Sequence, residues 1–222
     1  MSQKWFQSKC TKGFAALFVL CAQAQAAPSP LPRLLQEVEA RYAKGGTLTA
    51  QFNQTQYNAT TQSTKKSKGT LQLARPNRFR WDTLTPDPNS LVSDGEKVWF
   101  YTPPFDEGEH GQVIEKPAKS VKTELASAIL AGSLSTKTGE LKVKEAGPHL
   151  FEVSPRKAGA AGTVERVLVD VDPKLKQISK LTVHHKGGNR SEISLEDVKL
   201  GSPIEASVFE FKAPPNTDRI KE

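Results

Sequence analysis

The side chains that could carry out covalent or metal chemistry in this 222-residue chain are few and poorly placed for it. His184 and His185 are adjacent in a segment of strand-like composition, so they point to opposite faces and cannot share a metal ion. Asp170 and Asp172 do share a face, but the alternating valines of residues 167–171 form a sufficient core stripe on the other face. We therefore interpret both aspartates as the wet side of a strand that ends in a turn.

Nucleophilic catalysis also lacks its usual sequence signals. The two cysteines, Cys10 and Cys21, lie in an N-terminal segment that we expect to be removed, and no G-x-S-x-G, G-x-G-x-x-G or phosphate-loop motif is present. We expect no enzymatic activity, no cofactor and no metal site. An exported hydrolase is the alternative from another functional class, and alanine replacement of His149, His184 and Asp170 would test it.

Residues 1–26 have the pattern of a cleaved signal peptide. Lys4, Lys9 and Lys12 precede an apolar stretch over residues 13–22, and Ala24-Gln25-Ala26 offers small residues at a cleavage site. No later segment approaches the roughly 20 apolar residues of a membrane helix. We expect residues 27–222 to form a single exported domain.

The charge of the chain is moderately basic. The net charge is +7, and three positive charges leave with residues 1–26. Lysines and arginines are dispersed apart from Lys65-Lys66-Ser67-Lys68, which excludes the concentrated basic stripe of a nucleic-acid-binding protein. The excess suits acidic membrane surfaces or acidic partners, but an ordinary solvated surface is the favoured interpretation.

The most informative stretch is residues 75–81, Arg-Pro-Asn-Arg-Phe-Arg-Trp. Successive side chains of an extended chain point to opposite faces, so Phe79 and Trp81 share one face while Arg78 and Arg80 share the other. One side of this strand is suited to an apolar environment and the other to water. Without a nucleophile or metal cluster nearby, this pattern favours a protein that holds an apolar ligand.

The elements that must position this strand are mostly other strands. Leu31, Leu34, Leu35 and Val38 predict a short amphipathic helix that ends near residues 44–46, and residues 120–131 predict a second helix. Residues 58–68 are interpreted as a flexible turn and residues 103–117 as a loop. Strand-like segments cover residues 47–57, 69–74, 78–84, 97–101, 141–145, 149–155, 164–171, 177–185, 191–200 and 208–212, and residues 91–92 lead into a tight turn over residues 93–96. The absence of a βαβ rhythm predicts a mainly β (α+β) fold with one large, curled antiparallel sheet and two or three helices on one face.

Apolar and aromatic residues cluster within fifty residues of one another: Phe52, Leu71, Leu73, Phe79, Trp81, Val98, Trp99, Phe100 and Tyr101. Such residues on strands usually form the core. Only two short helices are available to cover the apolar face, however, and helices at the open side of a sheet could act as a lid over a cavity. Composition leaves both interpretations open.

Several segments resemble the LolA family, the periplasmic carriers that move lipoproteins from the inner to the outer membrane of Gram-negative bacteria. The resemblance covers nearly all of residues 27–222, with the segments in the family's order and spacing. The matching segments are Phe52-Asn53-Gln54, Gly69-Thr70-Leu71, residues 75–81, Val92-Ser93-Asp94-Gly95 with Val98-Trp99-Phe100-Tyr101, and residues 209–215. One departure is Asn216, which stands where the family usually has a glycine after the proline pair.

The resemblance implies an incomplete β-barrel of about ten or eleven strands, capped by two or three short helices that act as a lid. It implies a monomeric periplasmic carrier that receives lipoprotein acyl chains from an inner-membrane ABC-type complex and passes them to an outer-membrane receptor lipoprotein. Arg75 matches the family's arginine that ties the lid shut, and Phe79 matches a phenylalanine at the cavity entrance. We expect the acyl-chain cavity to be lined by Phe52, Leu71, Leu73, Phe79, Trp81, Val98 and Phe100, with Leu125 and Ile129 assigned to the lid from helical spacing alone.

Two related alternatives remain. One is a periplasmic glycolipid or lipid carrier, or a lipid sensor, built on the same half-barrel scaffold. The other is the outer-membrane receptor itself, which needs a lipidated cysteine at its cleavage site. Leu20 precedes Cys21 where a small residue is needed, which argues against lipid attachment.

Overall fold

The computed structural model describes residues 31–118, 129, 141–157 and 159–221. These residues form one open sheet of twelve strands in the order β12-β6-β5-β4-β3-β2-β1-β11-β10-β9-β8-β7. Neighbouring strands are antiparallel, except that β12 runs parallel to β6. Within the described residues, the sheet ends at β12 on one side and at β7 on the other without closing. None of the described helices is long and apolar enough to cross a membrane.

The element bounds are as follows. The helix α1 spans Arg33–Gly45, and short 3-10 helices span Lys186–Gly188 and Ala206–Phe209. The strands are β1 Thr47–Asn58, β2 Ser63–Ala74, β3 Arg78–Thr85, β4 Asn89–Ser93, β5 Lys97–Thr102, β6 Gly111–Pro117, β7 Leu141–Gly147, β8 Leu150–Pro155, β9 Val164–Asp172, β10 Gln177–His185, β11 Arg190–Leu200 and β12 Thr217–Lys221.

The structure confirms the mainly β fold with a single open, curled sheet, and it has twelve strands where ten or eleven were expected. Residues 63–68, interpreted as part of a flexible turn, instead pair with Asn53–Asn58 in a long hairpin. This part of the hairpin is polar on both faces and extends past β3, so it shows no apolar alternation. The loop predicted over residues 103–117 contains β6, and the strands β4 and β12 were not predicted.

The strand predicted over residues 208–212 is wrong. Residues 206–209 form a 3-10 turn and the following residues pair with no strand. Phe209 and Phe211 alternate as they would in a strand. Their rings instead pack onto the outer face of the sheet, and their backbone does not pair with a strand. Phe209 is buried, and Phe211 contacts Trp99 and Tyr101 with ring centroids 6.2 and 5.4 Å apart.

Residues 202–216 thus form a C-terminal strap across the outer face of β3 to β6. Arg78 lies over the Phe209 ring at 5.3 Å, and Arg80 donates a 3.3 Å hydrogen bond to the Val208 carbonyl. The strap ends at Asn216, whose left-handed φ of 57° is one that asparagine adopts more readily than most residues. The Asn216 carbonyl accepts a 3.0 Å hydrogen bond from Gly111, where β6 begins.

The helix α1 covers part of the concave face. Leu35, Val38 and Tyr42 recur every three or four residues and are buried against the sheet. Gly46, with a φ of 72°, ends the helix and donates to the Tyr42 carbonyl. Tyr42, which the sequence analysis did not single out, accepts a 3.1 Å hydrogen bond at its hydroxyl from the backbone N–H of Ile178 in β10.

We expect Tyr42→Phe to destabilise the protein near neutral pH by about 1–3 kcal/mol, because the buried Ile178 N–H loses its acceptor. Burial raises the pKa of Tyr42 to about 12. Between pH 10 and 12 the unfolded chain releases this proton while the folded chain retains it. Stability therefore falls as pH rises, by roughly 3 kcal/mol over two pKa units.

Urea unfolding of wild type and Tyr42→Phe at pH 8 and pH 11 measures both effects. The variant should start less stable and then lose less stability on going to pH 11. Parallel losses in the two proteins would contradict the assigned role of this hydroxyl.

Candidate apolar ligand site

The strand register places the predicted apolar residues on one face of the sheet. Residues directly opposite each other in neighbouring strands point to the same side. Leu71 is opposite Trp81, and Leu73 is opposite Phe79. Ala50 lies opposite Leu71, which puts Phe52, two residues further along β1, on this face as well. This is the concave face, onto which α1 packs.

The β5 residues predicted for the site lie on the same face. Phe79 is opposite Ser93, which is opposite Val98, and Trp81 is opposite Leu91, which is opposite Phe100. Val98 is buried, whereas 41% of the Phe100 side chain remains exposed. Trp99 and Tyr101 point to the outer face, where they contact the strap.

A close aromatic contact lies at the centre of the concave face. The rings of Phe52 and Trp81 have centroids 4.3 Å apart and planes inclined by 35°. The two rings meet across β2 because Gly69, which lies between their strands, has no side chain. A Cβ at this glycine would stand 2.8 Å from the Phe52 ring and 1.9 Å from the Asp82 carbonyl oxygen. The glycine therefore lets two aromatic side chains from non-adjacent strands come together.

The half of the concave face formed by β7 to β11, β1 and β2 is closed by the protein itself. Phe52 and Leu71 are 1% and 2% exposed, in one core cluster with the buried side chains of α1. Ile129, one of the two predicted lid residues, is helical and fully buried in that cluster. Leu125, like most of the predicted helix over residues 120–131, lies outside the described residues.

Clefts are found away from the Phe52–Trp81 contact. Three clefts of about 360, 420 and 470 Å³ lie on the periphery, and neither Phe52 nor Trp81 lines any of them. One lies beside the strap, one at the β7–β8 turn and one beside the β1–β2 hairpin. The half of the concave face formed by β7 to β11, β1 and β2 is thus a packed apolar surface, and a ligand would enter that half by displacing side chains that now fill it.

Arg75 lies half-buried in the turn between β2 and β3. Its backbone N–H donates a 2.9 Å hydrogen bond to the carbonyl of Gly46, which ends α1. The turn that carries Arg75 is therefore tied to the end of the helix covering the concave face.

Arg78 and Arg80 point to the outer face, as the alternation predicts, but the outer face is not simply solvated there. Both are half-buried beneath the strap. Arg80 pairs with Asp82 at 2.6 Å, and Asp82 also accepts a 2.6 Å hydrogen bond from Ser90. The interpretation of this side of the strand as simply suited to water is therefore incomplete for these two arginines, because the strap that covers them could not be inferred from alternation along β3.

The residues considered for metal binding are not brought together in the described part of the chain. Within the described part of the chain, no three histidine, cysteine or acidic side chains come together as a metal site would require. Asp172 accepts backbone hydrogen bonds from Leu175 and Lys174, which lower the pKa of its carboxyl and identify it as a turn residue. His184 is half-buried, and its desolvation, helped by Arg166 and Arg190, lowers its pKa.

An open, curled sheet with a helix packed onto an apolar concave face places the chain in the class of half-barrel proteins. The family described as outer membrane lipoprotein carrier protein LolA matches residues 43–212, more than half of the chain. The chain therefore belongs to the LolA family.

Individual relatives agree with this assignment. The outer-membrane lipoprotein carrier protein of Azotobacter vinelandii is 30% identical over 94% of this chain and 95% of its own length. The protein of the same name from Vibrio vulnificus is 28% identical over 91% of this chain and 94% of its own. Among solved structures, an uncharacterized conserved protein from Thermus thermophilus shares the fold, with a TM-score of 0.50 and 12% identity over 84% of this chain and 98% of its own.

We predict that Gly69→Ala destabilises the protein by about 1–3 kcal/mol or more, because the new methyl group overlaps the Asp82 carbonyl and the Phe52 ring. Gly147→Ala in β7 is the matched control, since a Cβ there would meet Leu150 at an ordinary 3.7 Å. Thermal unfolding of both variants measures the difference. Equal stability of the two variants would contradict the close approach at Gly69.

Proposed function

We propose that this protein is a periplasmic carrier that holds the acyl chains of lipoproteins on the concave face of its sheet. The observation that supports this most directly is the convergence of Phe52, Leu71, Leu73, Phe79 and Trp81 on one face. Family membership and the names of the relatives favour lipoproteins as cargo over the glycolipid and lipid-sensor alternatives. The protein would receive its cargo from an inner-membrane ABC-type complex and release it to an outer-membrane receptor lipoprotein.

The energetics suit a carrier without covalent chemistry. Burial of an acyl chain is worth about 0.8 kcal/mol per methylene, so the ligand does not cross water unaided. The half of the concave face formed by β7 to β11, β1 and β2 is filled by the protein's own side chains, and ligand entry there would replace these contacts by similar ones. Because one set of apolar contacts replaces another, the net affinity stays moderate and release remains possible.

Arg75 is suited to control this exchange. A guanidinium has five donors in a planar arrangement and can hold several carbonyl oxygens at once. The position of Arg75, in a turn hydrogen-bonded to the end of α1, supports a role in holding the helical cover onto the concave face. Ligand entry would break these polar contacts in return for apolar burial.

The first test measures contact between an acyl chain and Trp81. The test uses the variant Trp99→Phe, purified from a periplasm and shown by its intact mass to lack residues 1–26. In this variant, we expect brominated acyl chains of a lipopeptide to quench the fluorescence of Trp81. The unbrominated lipopeptide should not quench it. In the matched variant Trp81→Phe, the remaining Trp99 lies on the outer face and should not be quenched. Equal quenching in both variants, or none, would count against the concave face as the binding site.

The second test concerns transfer. Arg75→Leu should fold with an unchanged circular dichroism spectrum but release its cargo less readily, because the closed, empty state loses its polar contacts. Inner-membrane vesicles with ATP measure loading of lipoprotein into the soluble fraction, and added outer-membrane vesicles measure delivery. Arg219→Leu, the same change at an exposed position of β12, is the control. Normal delivery by Arg75→Leu would remove Arg75 from the mechanism, and no soluble lipoprotein with wild type would refute the proposed function.

A further inference from the structure

The apolar residues of the concave face continue beyond the core, across four more strands to the edge of the sheet. Trp81 in β3 is opposite Leu91 in β4, and Leu91 is opposite Phe100 in β5. Phe100 is opposite Ile114 in β6, and Ile114 lies beside Ile220 in β12. Because residues in register point to the same side, these five side chains form one continuous row, here called the apolar lane.

Among the described residues, the lane is the less buried part of the concave face. Trp81, Leu91 and Ile114 are half-buried, whereas Phe100 and Ile220 are 41% and 39% exposed. At its inner end the lane meets the buried Phe52 ring through Trp81. The lane therefore leads outward from the packed core along side chains that keep part of their surface exposed.

The row next to the lane, toward the β3–β4 and β5–β6 loops, is polar. Thr83 is opposite Asn89, and Gln112 lies between Thr102 and Asp218. Polar side chains therefore bound the lane on this side. On its other side lies the row Phe79, Ser93, Val98 and Lys116, in which apolar and polar residues alternate. A flat protein interface needs on the order of 800 Å² from each partner, and an apolar strip this narrow fits a linear apolar chain better.

The length of the lane also fits such a chain. Four steps between five strands span about 19 Å at the usual strand spacing, which is comparable to an extended long-chain fatty acyl group. Ile220 is the only apolar residue of β12, whose other residues are Thr217, Asp218, Arg219 and Lys221. Charged side chains are the usual protection of an edge strand, so an isoleucine that faces the lane is the exception there.

We infer that the apolar lane is a binding subsite for one long acyl chain, which lies across the strands from Trp81 to Ile220, and that β12 completes this subsite. The inference rests on the proposed carrier function and assigns a specific path to one chain of the cargo. It makes the C-terminal strand part of the ligand site, and it makes Ile220 a residue that selects for acyl-chain length.

The test compares a short-chain and a long-chain fluorescent acyl probe on wild type, Ile220→Ser and Arg219→Ser. Ile220→Ser should raise the Kd of the long-chain probe about five- to tenfold, since a partly buried isoleucine contact is lost. The short-chain probe, which ends before β12, should bind unchanged. Arg219→Ser, the neighbouring residue on the outer face, should bind both probes like wild type.

Each other outcome has a distinct meaning. Equal binding of the long-chain probe by wild type and Ile220→Ser overturns the lane but leaves the carrier function intact. An equal loss for both probes indicates a general disturbance of the sheet and also overturns it. Failure of wild type to bind either probe refutes the carrier function itself. If Ile220→Ser unfolds at a lower temperature than Arg219→Ser, the smaller change Ile220→Ala should show the same length dependence.

Discussion

The structure depends on keeping an open sheet's two apolar surfaces out of water. A closed barrel hides its interior, but this sheet of twelve strands leaves β7 and β12 at its ends and exposes a concave face. The outer face of β3 to β6 is covered by the C-terminal strap through Phe209 and Phe211. The concave face is covered in part by α1 and Ile129. The strap connects β11 to β12, and α1 leads into β1 and packs against β1 and β10. The two covers differ in the kind of contact that holds them.

The contacts on the outer face suit a fixed structural role, whereas the contacts on the concave face can be exchanged for contacts with a ligand. On the outer face, aromatic stacking combines with the Arg80–Asp82 ion pair and a hydrogen bond to the strap backbone. On the concave face, Tyr42 provides one buried hydrogen bond between helix and sheet, and Arg41 and Glu37 make exposed polar contacts with the β9–β10 turn at Leu175 and Lys176. The other buried contacts of α1 are apolar. Apolar contacts are non-directional, so an acyl chain can replace them with little loss. A carrier requires a site of this kind.

The Phe52–Trp81 contact joins the packed half of the concave face to the half that carries the apolar lane. Gly69 allows the two rings to meet across β2, and the lane continues from Trp81 to the sheet edge. The same alternation in β3 that places Trp81 on the concave face places Arg78 and Arg80 beneath the strap. One short strand therefore supplies the ligand face on one side and the anchor for the strap on the other, which explains why its sequence is so distinctive.

The sequence by itself determined the fold class, the face on which Phe79 and Trp81 lie, and the family, because strand periodicity and short motifs are local properties of the chain. Only the tertiary structure decided that residues 63–68 extend a hairpin, that Phe209 packs onto the sheet from outside, and that Ile220 reaches the concave face. Each of these depends on which strands become neighbours. Pairing between distant segments is set by register and burial across the whole sheet, and composition within any one segment does not encode it.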